Sequence, residues 1–332
     1  MKTHLVTGGA GFIGVHLARA LLGRGDRVVV LDDLSRVGSD DRLVRLLAHG
    51  GDGIAAIKAD VSVAAEVDSV VEYYGPFDGV FHLAAQVAVT WAMSDPRRDF
   101  EVNALGSFNV IDAIRRLSPK ARCLHMSSNK VYGGLADLGV VADGDRCAFA
   151  DLPGGVGEDR PMDPVTPYGV SKATGECYFR DAWGSYGIQT AVLRGSCIYG
   201  PRQSQQEDQG WVAWFARAIE SGQTLRIFGD GRTTRDMLHI GDLVALQLAV
   251  FDGPEPRACT LNVGGGPERA RSLLEVVAAI ERLTGKTAQL EFCPERTGDQ
   301  KVFVTCTDKA LAEYGWRPEV LPEEGLRSLL EQ

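Results

Sequence analysis

The sequence predicts a doubly wound parallel α/β fold with a smaller mixed α/β lobe toward the carboxyl terminus, and three observations predict it. Short apolar runs recur at residues 5–7, 27–31, 54–58, 79–83, 123–127 and 190–194, each followed by helical or loop sequence. The runs are continuous rather than alternating, as strands covered on both faces of a parallel sheet must be. The first of them leads directly into a glycine-rich turn and a helical stretch.

That turn is Gly8-Gly9-Ala10-Gly11-Phe12-Ile13-Gly14, a G-x-x-G-x-x-G pattern. Glycine lets the backbone fold tightly and approach a pyrophosphate, whose charge then sits at the positive end of the following helix. The second run ends in Asp32-Asp33, 18 residues after Gly14. A carboxylate there accepts hydrogen bonds from the adenosine ribose and repels a 2'-phosphate, which predicts NAD rather than NADP. The third run ends in Asp60-Val61, where the acid either caps the next helix or holds the adenine amino group. The fourth closes in Leu83-Ala84-Ala85-Gln86, small enough for a flat cofactor to lie against the backbone or simply well suited to packing.

Residues 95–117 place Phe100, Ala104, Phe108, Ile111 and Ile114 three or four apart, a helix packed on the sheet. The fifth run ends at Ser127-Ser128-Asn129-Lys130, on the edge where ligands bind in such sheets, so a hydroxyl there can orient a reacting oxygen; a polar turn is the plainer alternative. Tyr168 and Lys172 stand four apart on one helical face after Pro167. An ammonium beside a phenol, together with a positive nicotinamide ring, favours phenolate and equips Tyr168 to take a hydroxyl proton while hydride leaves the same carbon. Beyond about residue 201 the alternation loosens: residues 225–228 and 237–240 flank a Gly229-Asp230-Gly231 turn, and helices are expected over 242–251 and 272–283. The division is therefore expected at 1–200 for the cofactor domain and 201–332 for the substrate lobe, with no flexible linker between them and with the chain free to cross.

Composition narrows the function. A chain of 332 residues that is 45% apolar buries a substantial core, and its net charge of -9 argues against nucleic acid as a partner. Seven cysteines without a C-x-x-C pair and six histidines without ligand spacing predict neither a disulfide framework nor a metal. The chain starts straight into a strand and contains no stretch of membrane-spanning length, so a cytoplasmic enzyme with no membrane contact is expected.

The glycine loop, Ser127-Ser128, the Y-x-x-x-K pair and Arg235-Asp236-Met237-Leu238-His239 together resemble the NAD-dependent epimerase/dehydratase family, the extended short-chain dehydrogenases. Arg296-Thr297-Gly298-Asp299 and Gly315-Trp316-Arg317-Pro318 extend the resemblance nearly to the end of the chain. It implies a Rossmann domain, tightly held NAD and a nucleotide-sugar substrate. It makes Ser128, Tyr168 and Lys172 catalytic. It assigns cofactor contacts to Gly8, Gly11, Phe12, Ile13, Gly14, Asp32, Asp33, Asp60, Val61, Leu83, Ala84, Ala85, Gln86, Ser127 and Ser196, with Tyr168 and Lys172. Substrate contacts fall on Val87, Asn129, Lys130, Cys197, Gln209, Arg235 and Arg296, the two arginines suiting phosphate oxygens.

Within the family, residues 86–90, 128–133 and 208–215 resemble the branch that inverts C2 of a CDP-hexose, the CDP-paratose/CDP-tyvelose type. Cys197 departs from the asparagine that many members place against the substrate, which leaves the exact sugar open. A 4-epimerase of the UDP-glucose type uses the same hydride logic. A 4,6-dehydratase needs an acid beside the catalytic hydroxyl, where Asn129 and Lys130 stand, and a non-catalytic NAD-binding regulator has no use for an intact Ser128, Tyr168 and Lys172. The resemblance also implies a homodimer joined through residues 95–117 and 167–186, or a tetramer of such dimers.

Overall fold

The computed structural model describes residues 1–207, 209–253, 258–296 and 298–331; Asp208 and Thr297, which the sequence reading includes, lie outside them. The chain forms two compact units built from separated stretches. The first comprises Met1–Val131, Thr166–Arg194 and Val244–Leu261, and the second Tyr132–Val165, Gly195–Leu243 and Asn262–Gln332. The chain thus crosses between the units at Tyr132, Thr166, Gly195, Val244 and Asn262.

In chain order the first unit begins with β1 (Thr3–Thr7), α1 (Phe12–Gly23), β2 (Arg27–Asp32), α2 (Ser39–Gly50), β3 (Ile54–Lys58) and α3 (Ala64–Tyr74). It continues through β4 (Gly79–His82), α4 (Val89–Ser94), α5 (Pro96–Phe100), α6 (Gly106–Leu117) and β5 (Arg122–Ser128). A hairpin of β6 (Val140–Asp143) and β7 (Arg146–Phe149) belongs to the second unit, after which α7 (Thr166–Tyr186) and β8 (Thr190–Gly195) follow. Then come β9 (Cys197–Tyr199), α8 (Trp211–Ser221), β10 (Thr224–Phe228), β11 (Thr234–His239), α9 (Ile240–Asp252) and β12 (Cys259–Val263). The chain ends with β13 (Ala270–Ser272), α10 (Leu273–Thr284), β14 (Gln289–Cys293), β15 (Val302–Phe303), α11 (Asp308–Tyr314) and α12 (Pro322–Leu330).

The central parallel sheet has seven strands in the order β12-β8-β5-β4-β1-β2-β3. Strand order reverses beside β1, and the registers Thr7↔Leu31, Thr7↔His82 and His82↔His125 bring the carboxyl ends of β1, β2, β4 and β5 to one edge. A switch point of this kind opens a crevice for a ligand. The continuous apolar strands are covered as their pattern requires: Leu5, Val29, Leu31 and Val80 are buried together with Val67, Val70 and Val71 of α3 and Val110, Ile111 and Ile114 of α6.

The helix expected over 95–117 is in three parts. Asp95 caps α5 by accepting from Arg98 N, a wide π-type turn covers Glu101–Leu105, and α6 follows. The turn lies where α7 packs closest, since a Cβ on Gly175 would come within 2.7 Å of Asn103 O and 2.6 Å of Ser107 Oγ. Such single wide turns re-aim side chains.

In the second unit β11 pairs with β13, β15 and β9, while β10 pairs in parallel with β14. The two strands expected to flank Gly229-Asp230-Gly231 do flank it, but they join different sheets; both glycines have positive φ, 83° and 80°. Its core gathers Tyr199, Phe215, Ile219, Ile227, Ile280 and Leu326. Helix α10 starts in a full capping box, Ser272 accepting from Glu275 N and Glu275 accepting from Ser272 N. Among the described residues no helix is long and apolar enough to cross a membrane, and no group of three His, Cys, Asp or Glu is placed to hold a metal.

Candidate functional site

The glycine loop is shaped by close approach. Gly8 has φ 68°, and a Cβ there would lie 2.6 Å from Ala84 N. A Cβ on Gly14 would lie 2.3 Å from Gly8 O, so the first turn of α1 sits directly against the loop. Gly11 is the N-cap of α1, with no side-chain cap and no acidic residue in the first turn. Val15 N is the first to find an intrahelical acceptor, at Gly11 O, which leaves the N–H groups of Phe12, Ile13 and Gly14 for an anion.

Asp32 ends β2 with its carboxylate buried. Its Oδ2 accepts from Ala10 N at 2.9 Å and its Oδ1 from Leu34 N at 2.9 Å, so the acid holds the glycine loop while keeping lone pairs for ribose hydroxyls. Burial pushes its pKa up, against those two hydrogen bonds. Arg42 of α2, which the sequence reading missed, also ties the loop down: its Nε donates to Ala10 O at 2.8 Å. Asp33 accepts from Ser35, and Asp60 both accepts from Ser62 and pairs with Arg98 Nη2 at 2.6 Å. The Asp60 carboxylate is therefore committed to its own turn and to Arg98. Val61 is buried, with its carbonyl accepting from Asn109 Nδ2.

At the end of β4, Leu83 N donates to Thr7 O and Ala84 N to Thr7 Oγ1. Leu83, Ala84, Ala85 and Val87 are half-buried. Gln86 is not free to reach outward: its amide closes on both the N–H and the carbonyl of Ala88, and its own backbone N donates to Asn103 Oδ1.

The structure brings Ser128, Tyr168 and Lys172 together. All three are buried, at the end of β5 and on the first turns of α7. The Ser128 side chain lies near enough to the Tyr168 phenol to draw its pKa down. Lys172 Nζ donates to Met126 O at 2.6 Å. Burial pushes the phenol up to about 12, with Asp99 adding to the shift and Ser128 opposing it. The sequence predicts a phenol lowered by Lys172 together with a positive nicotinamide ring; in this chain burial sets the direction. Burial also draws Lys172 down to about 8, against the charges of Asp99 and Glu176. Asn129 is buried and Lys130 half-buried in the short 3-10 turn Asn129–Tyr132, where Lys130 N donates to Ser128 Oγ at 3.2 Å. Ser127 turns inward and donates to Glu176 Oε2 at 2.8 Å. Glu176 was within reach of the sequence reading, since it lies four residues past Lys172 on the same helical face.

The remaining predicted residues belong to the second unit. Ser196 donates to Asp236 Oδ1, which also places Asp236 beside β9. Asp236 is fully buried and pushed up to about 6 by that burial, against hydrogen bonds from Ser196, Thr305 and Gly266. Cys197, opposite Met237 in the β9–β11 ladder, has its thiol pushed up to about 12 by burial. Among the described residues the buried Oε1 of Gln209 has no hydrogen-bond partner. Arg235 donates to Thr234 O at 2.8 Å and to Asp299 Oδ1 at 2.7 Å. Arg296 lies with its guanidinium 3.9 Å from the centre of the Phe228 ring.

A pyrophosphate-linked dinucleotide fits the first unit: an open helix N-terminus, a loop in which side chains are excluded, and a carboxylate at the end of β2. Comparison with known proteins agrees. Residues 4–264 match the model of the NAD dependent epimerase/dehydratase family. The chain is 34% identical to the CDP-paratose 2-epimerase of Salmonella typhi, covering 98% of this chain and 97% of that protein. It is also 34% identical to the UDP-glucose 4-epimerase of Mycolicibacterium smegmatis, covering 100% and 98%. Among solved structures, the Thermus thermophilus UDP-glucose 4-epimerase in complex with NAD superimposes with a TM-score of 0.84 at 31% identity, covering 99% of this chain and 98% of that one. The cofactor is NAD, and the chain is an enzyme that belongs to the NAD-dependent epimerase/dehydratase family.

Proposed function

We propose that this enzyme epimerises a nucleotide-linked sugar, inverting C2 of a CDP-hexose of the CDP-paratose or CDP-glucose type. The observation that carries the reading is the burial of Ser128 at the end of β5 with Tyr168 and Lys172 on the first turns of α7, and with Asn129 and Lys130 where a 4,6-dehydratase needs an acid. In this reading Ser128 and Tyr168 grip one sugar hydroxyl, and Tyr168 takes its proton as the carbon is oxidised. NAD, when bound, would supply the acceptor for the hydride and its source on return. Lys172 holds positive charge near the phenol, so that the proton can be taken and given back in the same cycle. In the second unit Arg235, paired with Asp299, and Arg296 are guanidinium groups suited to a diphosphate.

A 4-epimerase of the UDP-glucose type is the second reading, and the equal identity to the Mycolicibacterium smegmatis enzyme favours it. Proton NMR of CDP-paratose, CDP-glucose and UDP-glucose, each incubated with the protein and catalytic NAD, tests both. Inversion at C2 of either CDP-sugar supports the first reading; inversion only at C4, or only of UDP-glucose, replaces it with the second.

The reading includes a homodimer. Helices of the first unit leave Phe100, Phe108, Val170 and Tyr178 exposed, with the Phe108 and Tyr178 rings 5.1 Å apart, an apolar face suited to a second copy. It also includes the cytoplasm, in keeping with seven cysteines that are all free thiols.

A further inference from the structure

The wide turn before α6 brings an acid to the catalytic helix. Asp99, the fourth residue of α5, is completely buried. Its Oδ2 accepts from Ser171 Oγ at 2.5 Å and its Oδ1 from Asn103 Nδ2 at 3.1 Å. Asn103 Nδ2 also donates to Ser171 Oγ at 3.1 Å and to Gln86 O at 3.0 Å, while Asn103 Oδ1 accepts from Gln86 N at 2.9 Å. That last bond fixes which way the amide points. Asn103 therefore presents only hydrogens to Asp99 and Ser171, and Ser171, accepting from Asn103, directs its own hydrogen at the carboxylate. Every partner of Asp99 is a donor, an arrangement that favours the ionised acid against the burial that pushes its pKa up. Ser171 lies between Tyr168 and Lys172 in sequence and is also within 3.1 Å of Tyr168 O.

The other charged and titratable groups facing Lys172 leave Asp99 with a distinct part. Glu176, on the same helix, is matched by the guanidinium of Arg194 from β8. His82 of β4 and His125 of β5 stack at 5.2 Å between ring centres, and both are driven to the neutral form by burial and by the Lys172 charge. Tyr168 is a neutral phenol. Asp99 is held by neutral donors alone, so its charge acts outward on its neighbours.

Resting on the catalytic reading of Tyr168 and Lys172, we propose that Asp99 is a positioning residue for that pair: its carboxylate, fixed by Ser171 and Asn103, is the negative charge that sets where both titrate. The two effects have one sign. A buried anion favours ammonium over amine at Lys172 and phenol over phenolate at Tyr168, so neutralising it moves both ionisations to lower pH. A residue that merely packs would change the height of a pH profile and not its position.

The test reads the phenol directly. Ultraviolet titration of the NAD-loaded protein, with NAD-loaded Tyr168→Phe as reference, gives the midpoint for Tyr168 ionisation without any turnover. Asp99→Asn is expected to lower that midpoint by about one pH unit and to move both limbs of the pH–rate profile the same way. An unchanged midpoint overturns the proposal. Ser171→Ala removes one tether and leaves the charge; a midpoint shift as large as that of Asp99→Asn would assign the effect to the tether and also overturn it. Should Asp99→Asn not fold, Asp99→Ser offers the same reading. On the wild type, a carbon-13 carboxyl signal showing Asp99 protonated at pH 7 overturns the proposal independently. The catalytic reading fails by a different result, undiminished epimerisation by Tyr168→Phe.

Discussion

Glu176 and Arg194 form a bidentate ion pair inside the first unit: Arg194 Nε and Nη2 lie 3.0 and 2.5 Å from Glu176 Oε1, and Nε lies 3.2 Å from Oε2. Their side chains are 0% and 3% exposed. The same carboxylate receives Ser127, so a structural ion pair fixes the end of the strand that carries Ser128. Removing Glu176 takes from the buried Arg194 the carboxylate that balances its charge. Glu176→Ala is expected to lower unfolding free energy by about 3–5 kcal/mol in urea titration, and Glu176→Met with Arg194→Leu to recover much of that loss.

Lys172 links activity to stability. Burial depresses it to about 8 from the ordinary 10.5. A depressed cation has its full stability above the unfolded value and loses it as pH falls through the folded one, so wild-type stability should rise from pH 8 towards pH 10. Lys172→Met carries no charge to bury. It is expected to be inactive yet more stable than the wild type at pH 7 by on the order of 2 kcal/mol, with the difference vanishing near pH 10, as urea midpoints across this range would reveal.

Gly14→Ala puts a methyl group into the backbone of Gly8, 2.3 Å from its oxygen. The loop must open for α1 to remain in place, and the N–H groups of the first turn then point elsewhere. The purified variant is expected to carry under about a tenth of the wild-type NAD, measured by absorbance after denaturation.

Arg235 and Asp299 supply a test of substrate binding in two directions. Arg235→Ala is expected to raise KM for the nucleotide sugar by about tenfold to a hundredfold with a smaller change in kcat. Asp299→Ala frees the guanidinium from its carboxylate, 2.7 Å away, and is expected to lower KM. A rise in KM for Asp299→Ala would mean that the ion pair orients Arg235 rather than competing for it.

Phe108→Glu combined with Tyr178→Glu places charges on the exposed ring pair of α6 and α7. Light scattering after gel filtration is expected to give a dimer for the wild type and a monomer for the double variant.

The first six sheet strands were legible because a strand buried on both faces writes itself as an uninterrupted apolar run, and the glycine loop because so few side chains fit beside Gly8 and Gly14. The seventh strand, Cys259–Val263, was missed: it joins the sheet far along the chain, and only pairing across the sheet identifies it. The hairpin Val140–Asp143 with Arg146–Phe149 was also missed, since β6 is exposed throughout and has no apolar alternation to read. At the site, the Tyr168 and Lys172 pair was legible from its spacing, and Ser128 from its place at the end of a strand and from the family resemblance. What spacing could not supply was the ionisation of Tyr168, which burial dominates, or the acids behind it. Asp99 sits one residue before Phe100 in a stretch whose periodicity is carried by apolar residues alone, and the wide turn at Glu101–Leu105 that aims Asn103 at it leaves no mark in that periodicity.

The interleaving of the two units bears on how such a gene can be handed down. No single break point between residues 132 and 261 leaves either unit with all its stretches. Recombination that swaps one half of the coding sequence would therefore scramble both bodies at once. An engineer who wishes to exchange either unit has to graft three separate segments together.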